Sequence, residues 1–559
     1  MVNQINYQSI VLIVTLSTIL SFNCVTNQQQ ISSSLYDPLD ENIITLDWTN
    51  FTSTIEFKSN IFVVQFYKHW CPYCKRFAPV WKNLSQDIKL WKSVVRLAVI
   101  NCAYDENVST CRSASIPFVP TIHFYPSNWN FSSGLTPIVI KKGTVDNLRG
   151  NITTLIVSTS SSSLSGEFNY SDPVDLRNVP NQISDRKFFL IAEEKDSKVG
   201  TEVILDNYQF KDEVMIKRVN WKSPWFHQLQ LNESQLPILV TLPKRGFLPI
   251  LVKTNQSIKN SRQAINDIIY KSIGLSTNKS RSILTESSTR SPIQILSFNN
   301  TYESPLYLDD LYKCLQQILT NEILIYDNYS LEKINSLKNF TNLIANYFPF
   351  TNSSTGKPFF NHLSQSLESY ENQLLTNDSL DSISVNQLIR KINQLQQVHR
   401  LPKPNNWITC RGSNPIYRGY TCSLWLLWHT LSVAEYLQVD GQLTNHQVAF
   451  TMRSFIRDFF SCQECRQHFI NETIDMFQVI HQSDPFSSIR YLWSVHNSVN
   501  KRIAGDPTQD PFFPKVQFPL QTQCSTCWTR GRFNDNQVIQ YLINRYNPSN
   551  WIPCEKTKN

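Results

Sequence analysis

Apolar and polar positions near the start of the chain follow the pattern of buried β-strands. Residues 61–67 form an apolar run rich in β-branched and aromatic side chains, and residues 95–100 form a second one. Runs of this length and composition predict buried strands. They indicate an α/β domain at about residues 34–154.

A second set of short apolar runs indicates another α/β domain at about residues 160–280. Residues 188–192 and 237–242 predict strands, and residues 261–273 predict a helix. This stretch contains no cysteine. It is therefore predicted to be a redox-inactive spacer.

Beyond residue 300 the spacing of apolar residues changes to the 3.6-residue period of helices. Two stripes show it, namely Leu308, Leu311, Leu315, Ile318 and Val385, Leu388, Ile392, Leu395. These stripes predict a helical region at residues 300–400, preceded by a Ser/Thr-rich linker at 276–291. Cys314 lies near the first stripe and is predicted to be a buried, inert thiol.

Two helices in the last large segment, residues 401–530, combine apolar positions with polar ones on the same face. In the first, Trp425 and His429 lie four positions apart and share a face. The second has four such residues at the i, i+3, i+4, i+7 spacing, namely Trp493, His496, Asn497 and Asn500. Burying such polar groups unpaired would cost roughly 1–3 kcal/mol each. Either a bound ring system satisfies them or the face is solvated, and no GxGxxG follows a strand to indicate a Rossmann site.

The N-terminus and the overall charge narrow the setting in which the protein works. Residues 10–20 are an apolar run too short for a confident membrane span, and they predict a secretory signal over residues 1–24. Glycosylation sequons, for example at Asn50 and Asn83, agree with secretion. The net charge of +8 over 559 residues is scattered, so no nucleic-acid partner is predicted. We expect the secretory pathway or the extracellular space, with no membrane span in the mature chain.

The cysteines indicate an oxidising compartment. Of thirteen, Cys24 leaves with the predicted signal, and Cys314 and Cys554 have no close partner. The other ten form five close pairs, Cys71/Cys74, Cys102/Cys111, Cys410/Cys422, Cys462/Cys465 and Cys524/Cys527. Three of these pairs are CxxC, a spacing more typical of an electron relay than of a structural scaffold. Closing the Cys410–Cys422 loop would stabilise by roughly 3 kcal/mol, so this pair is predicted to be structural.

The central motif of the chain is the CxxC of Cys462 and Cys465, with His468 three positions later. Half a zinc site is one alternative, but the next CxxC lies much further along the chain than usual zinc spacing. A c-type haem would need histidine where Arg466 stands, and a structural disulfide here would close too small a loop to stabilise much. A redox pair activated by a helix N-terminus is favoured, and no metal is predicted.

The first domain carries Trp-Cys-Pro-Tyr-Cys-Lys-Arg-Phe-Ala-Pro at residues 70–79, directly after the predicted strand 61–67. This resembles a thioredoxin-fold domain of the protein disulfide isomerase type. The resemblance implies that Cys71 is the exposed nucleophile, Cys74 the resolving cysteine and Pro120 a cis-proline packed against them.

Two features of this domain depart from the pattern of that family. Pro72-Tyr73 stands between the cysteines where sulfhydryl-oxidase members usually carry Gly-His. Gln65 replaces the buried acid six residues before Cys71. The redox poise and the proton-transfer rate of this pair are therefore not given by the resemblance.

Residues 410–528 resemble the helical FAD-binding domain of the Erv/ALR sulfhydryl oxidases. Fused behind a thioredoxin domain, the chain resembles the quiescin sulfhydryl oxidase family. The resemblance implies a set of FAD contacts, namely Arg418, Trp425, His429, Glu464, His468, Trp493, His496, Asn497, Asn500, Lys515 and Phe518. It also implies that Cys465 abuts the flavin and that Cys462 is the outer, exchanging cysteine. Cys102/Cys111 and Cys524/Cys527 are expected to be structural disulfides.

These observations together predict a multidomain α/β plus all-α protein. The expected order is a signal at 1–24, a thioredoxin domain at 34–154, a second thioredoxin-like domain without CxxC at 160–280, a helical region at 300–400, an Erv/ALR helical bundle at 401–530 and a tail at 531–559. The expected function is an FAD-dependent thiol oxidase that relays electrons from reduced protein thiols to O2, giving H2O2, as a monomer. A disulfide isomerase or reductase using only Cys71/Cys74 is the alternative enzyme, and a glycosylated binding protein with a degenerate flavin domain is the non-enzymatic one.

Overall fold

The computed structural model describes residues 33–159, 168, 186–222, 236–241, 250–252, 261–275, 305–351, 353–438 and 446–553. Two compact units are distinguished. One is Leu35–Ser297, and the other is Phe298–Asn559 together with Met1–Ser34. The predicted signal 1–24, the linker 276–291, Cys24 and Cys554 lie outside the described residues.

The first domain is a five-stranded mixed sheet with helices around it. Its elements are β1 Ile43–Leu46, α1 Phe51–Ile55, β2 Ile61–Tyr67, α2 Pro72–Asp87, β3 Val95–Asn101, α3 Val108–Ser113, β4 Thr121–Tyr125, β5 Ile138–Ile140 and α4 Val145–Thr159. The strand order is β1-β3-β2-β4-β5, with β4 and β5 antiparallel to their neighbours. Every residue of β2 is buried, as its continuous apolar pattern predicts.

The second domain repeats the same plan around a smaller sheet. Its elements are β6 Lys187–Glu193, α5 Val199–Asp206, β7 Val214–Asn220, β8 Ile238–Thr241, β9 Ile250–Val252 and α6 Ser261–Ser272. The strand order is β7-β6-β8-β9, with β6 and β7 parallel. Phe188, Leu190 and Val240 belong to its core, which agrees with the predicted strands. The predicted pair of thioredoxin-like domains is confirmed in fold class.

Charged side chains join these two domains. Asp206, at the end of α5, is buried and accepts hydrogen bonds from Arg262 Nε at 2.7 Å and from Trp91 Nε1 at 2.8 Å. Asp87, at the end of α2, accepts from Arg262 Nη1 at 3.1 Å and from Arg149 Nη1 at 3.0 Å. Asp87, Trp91 and Arg149 belong to the first domain, and the other two belong to the second. The cysteine-free domain is therefore held to the first by the buried Trp91–Asp206 hydrogen bond and by the exposed Arg262–Asp87 pair, and it is not a loose spacer.

The second unit is mainly helical. Its elements are α7 Leu308–Thr320, β10 Asn328–Tyr329, α8 Leu331–Tyr347, α9 Ser353–Thr376, β11 Ile383–Ser384, α10 Val385–Val398, α11 Gly419–Gln438, α12 Gln447–Phe459, α13 Gln463–Glu472, α14 Met476–Val479, α15 Ser487–Ile503, β12 Trp528–Thr529, β13 Arg532–Phe533 and α16 Asp535–Tyr546. None of the helices described here is long and apolar enough to cross a membrane.

The helical region and the C-terminal bundle share one core. Phe340 of α8 packs against Phe455 of α12, with ring centroids 4.5 Å apart, and lies 5.9 Å from the ring of Trp428 of α11. Asp310 of α7 is buried and accepts from the backbone N–H of Ile408 at 2.9 Å, two residues before Cys410. The segments expected at 300–400 and 401–530 are therefore packed together as parts of one unit.

The segment expected to be a C-terminal tail contains a packed helix. Within α16, Val538 and Leu542 are fully buried. Their four-residue spacing is visible in the sequence and is the signal that would have indicated a helix here. Residues 554–559 lie beyond the described chain.

Candidate active site

The first CxxC lies at the junction between β2 and α2. Cys71 immediately precedes the helix, and Pro72 occupies its first position, where the missing N–H of proline costs no hydrogen bond. Cys74 lies in the first turn, so the helix N-terminus can stabilise a thiolate on this pair. The Val119–Pro120 peptide is cis. The register pairs Phe66 with Thr121, which places Pro120 at the sheet edge from which the chain leaves for Cys71.

A tyrosine and an amide occupy the place behind this pair. Gln65 is completely buried and accepts a hydrogen bond from the Tyr36 hydroxyl. Burial raises the pKa of Tyr36 well above its ordinary value, and the negative charges of Tyr67 and Cys74 raise it further. The Tyr36–Gln65 pair therefore stays uncharged at neutral pH beside Cys74, where no carboxylate takes the place of Gln65.

The second CxxC begins α13 in the helical unit. Cys462 precedes the helix and forms a disulfide with Cys465. The residue before it, Ser461, is buried and donates its backbone N–H to Glu322 Oε2 at 3.0 Å. Its hydroxyl donates to the same carboxylate, at 3.1 Å to Oε1 and 3.0 Å to Oε2. A fully buried glutamate from the helical region thus fixes the approach to the disulfide.

The exposure of the reactive sulfurs differs from expectation. Cys71 and Cys462, expected to be the accessible members of their pairs, are both fully buried. Cys465 is half-buried.

The remaining cysteine pairs close as disulfides of their own. The structure joins Cys102 to Cys111, Cys410 to Cys422 and Cys524 to Cys527. With Cys462–Cys465 and Cys524–Cys527 each closed on itself, the arrangement fits a redox pair and a clip better than a shared zinc site. Cys314 is a buried thiol whose pKa is raised by burial, so it is unreactive at neutral pH.

An aromatic cluster lies against the CxxC helix. The rings of Trp425 and His496 stack with centroids 4.1 Å apart and planes only 2° from parallel. His429 Nε2 and His496 Nδ1 are 3.0 Å apart and form a hydrogen bond. Phe469 of α13 contacts Trp425 edge-on, with centroids 6.3 Å apart. The structure therefore brings three of the predicted flavin contacts together, within reach of the helix that carries Cys465.

Burial keeps both histidines of this cluster neutral. It lowers the pKa of His429 to about 3. Burial also lowers the pKa of His496 well below its ordinary value, and the positive charges of His429 and Lys515 lower it further. One ring therefore donates and the other accepts in their shared hydrogen bond at neutral pH.

Acid is expected to destabilise the helical unit through His429. Between pH 6.5 and about 3 the unfolded chain binds a proton at this residue and the folded protein does not, so the stabilisation is full above pH 6.5 and is lost as the pH falls. The midpoint of thermal unfolding, followed by circular dichroism, should fall from pH 7 to pH 5. The fall should be shallower in His429→Gln and unchanged in the exposed control His481→Gln. An equal slope in all three proteins would contradict the assignment.

The predicted polar face of α15 turns out to bind protein backbone. Trp493 Nε1 donates to the Phe518 carbonyl at 2.6 Å, and Asn497 Nδ2 donates to the same oxygen at 2.8 Å. Asn497 Oδ1 accepts from the Phe518 N–H at 2.8 Å, and Asn500 donates to the Val516 carbonyl at 3.1 Å. The argument that these donors need a cofactor therefore does not hold for Trp493, Asn497 and Asn500, which instead hold the segment that carries Phe518. Their contact with FAD stays a prediction.

Two cations of the predicted set face each other. Burial lowers the pKa of Lys515, and the charge of Arg418 lowers it further. The Arg418 guanidinium donates to the Thr409 carbonyl at 3.1 Å and lies 4.0 Å from the centre of the Phe513 ring. The nearby carboxylate of Asp510 is already bonded to the Ser413 N–H and hydroxyl. Asp310 also lies near Arg418, and its oxygens accept from the Ile408 and Thr409 N–H groups. Two neighbouring cations beside carboxylates that are already hydrogen-bonded form a site suited to an added anion.

The last two predicted contacts lie on α13 itself. Glu464 is half-buried and His468 is exposed. Both lie within the helix that begins at the disulfide. No described contact of either residue decides whether it touches a cofactor, so both stay predictions.

Two tyrosines of α16 were missed because the segment was expected to be a tail. The Tyr546 ring stacks on His429, with centroids 4.7 Å apart and planes 11° from parallel. The Tyr541 ring lies 5.7 Å from the ring of Phe518. The helical period of α16 could have placed both residues on a packed helix, but not which residues they contact.

Three family models match separate parts of the chain. The thioredoxin model matches residues 42–134. The model of FAD-dependent sulfhydryl oxidase matches residues 302–413, and the Erv1/Alr family model matches residues 422–519. The chain therefore combines a thioredoxin domain with the FAD-dependent sulfhydryl oxidase and Erv1/Alr domains.

Curated sulfhydryl oxidases resemble the chain over most of its length. Human sulfhydryl oxidase 1 is 27% identical over 545 residues, which cover 93% of this chain and 68% of the relative. Human sulfhydryl oxidase 2 is 26% identical over 545 residues, which cover 93% of this chain and 74% of the relative. The solved sulfhydryl oxidase fragment of human QSOX1 is 29% identical, with a TM-score of 0.40, covering 45% of this chain and 98% of the fragment.

The matched FAD-dependent sulfhydryl oxidase model and the sulfhydryl oxidase relatives make the chain a flavin-linked thiol oxidase with FAD as its cofactor. The residues present fit that group. Trp425 and His496 offer flat aromatic surfaces, and Arg418 with Lys515 offers the positive charge that a diphosphate needs. The Tyr541 hydroxyl is buried and has no hydrogen-bond partner among the residues that the structure describes.

Proposed function

We propose that this sulfhydryl oxidase introduces disulfides into reduced protein substrates through two dithiol pairs working in series. Cys71 and Cys74 receive electrons from the substrate, and Cys462 and Cys465 receive them from Cys71 and Cys74. The observation that carries the proposal is a CxxC disulfide at the start of α13, in a bundle that also gathers Trp425, His429 and His496.

The chemistry of each exchange balances without another reagent. A substrate thiolate attacks the oxidised first pair, and the second substrate thiol resolves the mixed disulfide, which leaves the substrate oxidised and Cys71 and Cys74 as thiols. The Cys71 thiolate then attacks Cys462 and displaces Cys465 as a thiolate. Cys74 resolves this second mixed disulfide, so the first pair is oxidised again and the second is reduced.

The protein's part in the last step is to hold its groups in place. When bound, FAD accepts the two electrons of the reduced second pair and delivers them to O2, which gives H2O2. The N-terminus of α13 stabilises the Cys465 thiolate. Trp425 and His496 would hold the flat ring system, while Arg418 and Lys515 would bind the diphosphate. The Glu322–Ser461 hydrogen bonds fix the backbone that enters the disulfide.

The flavin itself provides the test of the function. Purified full-length protein should be yellow, should release FAD on denaturation, and should consume oxygen when supplied with a dithiol. Colourless folded protein that reduces or rearranges disulfides would instead support the isomerase alternative. Folded protein without either activity would support a binding role.

We further propose reduced protein thiols as the substrates and a monomer as the working state. The secretory pathway or the extracellular space is the proposed location. The sulfhydryl oxidase relatives and the cysteine pairs joined as disulfides support an oxidising compartment. Sedimentation of the purified protein tests whether it is a monomer, and its localisation in intact cells tests the proposed location.

The Cys524–Cys527 disulfide is expected to be dispensable for turnover. It closes a short turn, and Asn534 N–H binds the Cys527 carbonyl at 2.8 Å beside it. A double substitution to serine should therefore leave FAD bound and oxygen consumption similar to that of the wild type. Lost turnover with FAD still bound would place this pair in the electron path.

A further inference from the structure

Helix α16 lies beyond the residues that match the Erv1/Alr family model, yet it is built into the same site. Asn534 caps it by accepting from the Gln537 N–H, and Asp535 and Arg545 lie in its first and last turns, where their charges suit the helix dipole. Val538 and Leu542 are fully buried. The helix is therefore a fixed wall of the bundle.

The C-terminal end of α16 contacts the aromatic cluster directly. Tyr546 is buried, and its ring stacks on His429, which in turn is bonded to His496. Since His496 stacks on Trp425, the ring of Tyr546 continues the same set of aromatic contacts. Tyr546 therefore packs against the aromatic cluster through its contact with His429.

Tyr541, more than one turn earlier on α16, lies beside Phe518. The Phe518 backbone is fixed from the other direction by Trp493 and Asn497. The Tyr541 hydroxyl is buried, and no hydrogen-bond partner for it exists within the described part of the chain. A buried hydroxyl without a partner destabilises a protein, because it has lost its bonds to water and gained none in return.

Other buried tyrosines of this unit show how such a hydroxyl is normally satisfied. Tyr326 donates to the Asp458 carbonyl at 2.7 Å, and Tyr491 donates to Asp475 Oδ1 at 2.7 Å. Tyr329 donates to the Ile323 carbonyl. Tyr541 departs from this pattern at a position next to a predicted FAD contact.

We propose that α16 forms part of the FAD site and that the Tyr541 hydroxyl makes a hydrogen bond to the bound FAD. This rests on the proposed function, in which FAD lies among Trp425, His496, Arg418 and Lys515. Phe518 supplies an apolar face beside the cofactor, and Tyr541 supplies the polar contact. This hydrogen bond uses a hydroxyl that has no hydrogen-bond partner among the described residues of the protein.

The test compares Tyr541→Phe with Tyr491→Phe in the FAD-loaded full-length protein. FAD release is followed after dilution by the rise in flavin fluorescence. Tyr541→Phe should release FAD about five- to tenfold faster, the effect of one lost hydrogen bond to a ligand. The urea midpoint, followed by circular dichroism, should fall by no more than the weaker FAD binding accounts for, because the deleted hydroxyl has no hydrogen-bond partner among the described residues of the protein.

Tyr491→Phe should give the opposite pair of results. It removes a hydroxyl bonded to Asp475, so it should lower the urea midpoint and leave the FAD release rate at the wild-type value. An unchanged release rate in Tyr541→Phe would overturn the proposal, as would a variant that fails to fold, since the hydroxyl would then serve the protein. Wild-type protein that holds no FAD would instead overturn the proposed function, so the two failures are distinguishable.

Discussion

Replacing Cys465 with serine is expected to abolish oxygen consumption with every thiol substrate. In the proposed relay Cys462 exchanges with the first pair, and no other thiol among the described residues of the helical unit can replace Cys465, because Cys314 is buried and unreactive and Cys410, Cys422, Cys524 and Cys527 are bonded in disulfides. Oxygen uptake measured with dithiothreitol and with a reduced, unfolded protein checks this. The flavin absorption of the variant should persist, which separates lost chemistry from lost cofactor.

Replacing both Cys71 and Cys74 with serine is the matched comparison. Oxidation of the unfolded protein should be abolished, because that substrate enters the relay at the first pair. Dithiothreitol is small and should still reduce Cys462–Cys465 directly, so H2O2 should still form. Wild-type oxidation of the protein substrate by this variant would show that the first domain is not the entry point, and Pro72, Tyr73 and Gln65 would then look like signs of a domain that has lost its role.

Replacing Glu322 with alanine is expected to give the largest loss of stability in the helical unit. The carboxylate is fully buried and accepts the N–H and the hydroxyl of Ser461, so its removal leaves two buried donors unsatisfied. We expect a loss of about 3 kcal/mol in the free energy of unfolding. Urea unfolding followed by circular dichroism and flavin fluorescence gives the measurement.

Two further variants calibrate that loss. Glu322→Gln keeps the shape and one acceptor oxygen and should lose less. Glu332→Ala removes an exposed carboxylate that pairs with Arg457 and should cost less than about 1 kcal/mol. Equal stability of Glu322→Ala and Glu332→Ala would show that the Ser461 contacts do not matter for folding.

Local pattern was sufficient for several elements of the first unit. The apolar run at residues 61–67 is β2 as a whole, and the helix expected at 261–273 is Ser261–Ser272. Such runs can be recognised from residues that are adjacent in the sequence, because burial in the sheet requires the same pattern of apolar side chains. The fold class could be predicted because the CxxC motif and the spacing of the apolar residues indicated the same fold.

Pairings between distant residues could not be read in the same way. The face of α15 correctly indicated burial, but the polar atoms of Trp493 and Asn497 are bonded to the backbone of Phe518, a partner that neither alternative included. Periodicity shows which side of a helix is covered and not what covers it. The Glu322–Ser461 contact has no local signal either, since it joins residues far apart in the sequence.

The polar contacts between the two thioredoxin-like domains bear on how Cys71 can move. Trp91 of the first domain donates to the buried carboxylate of Asp206 in the second, and Arg262 of the second domain pairs with Asp87 of the first at 3.1 Å. Any reorientation of the first domain therefore carries the second with it, so the smallest body that transports the reactive sulfur is the pair. The domain without cysteines then acts through its mass and its shape. It slows the rotation of the first domain and limits the directions from which Cys71 can approach another molecule. Neither effect requires a reactive group in the second domain.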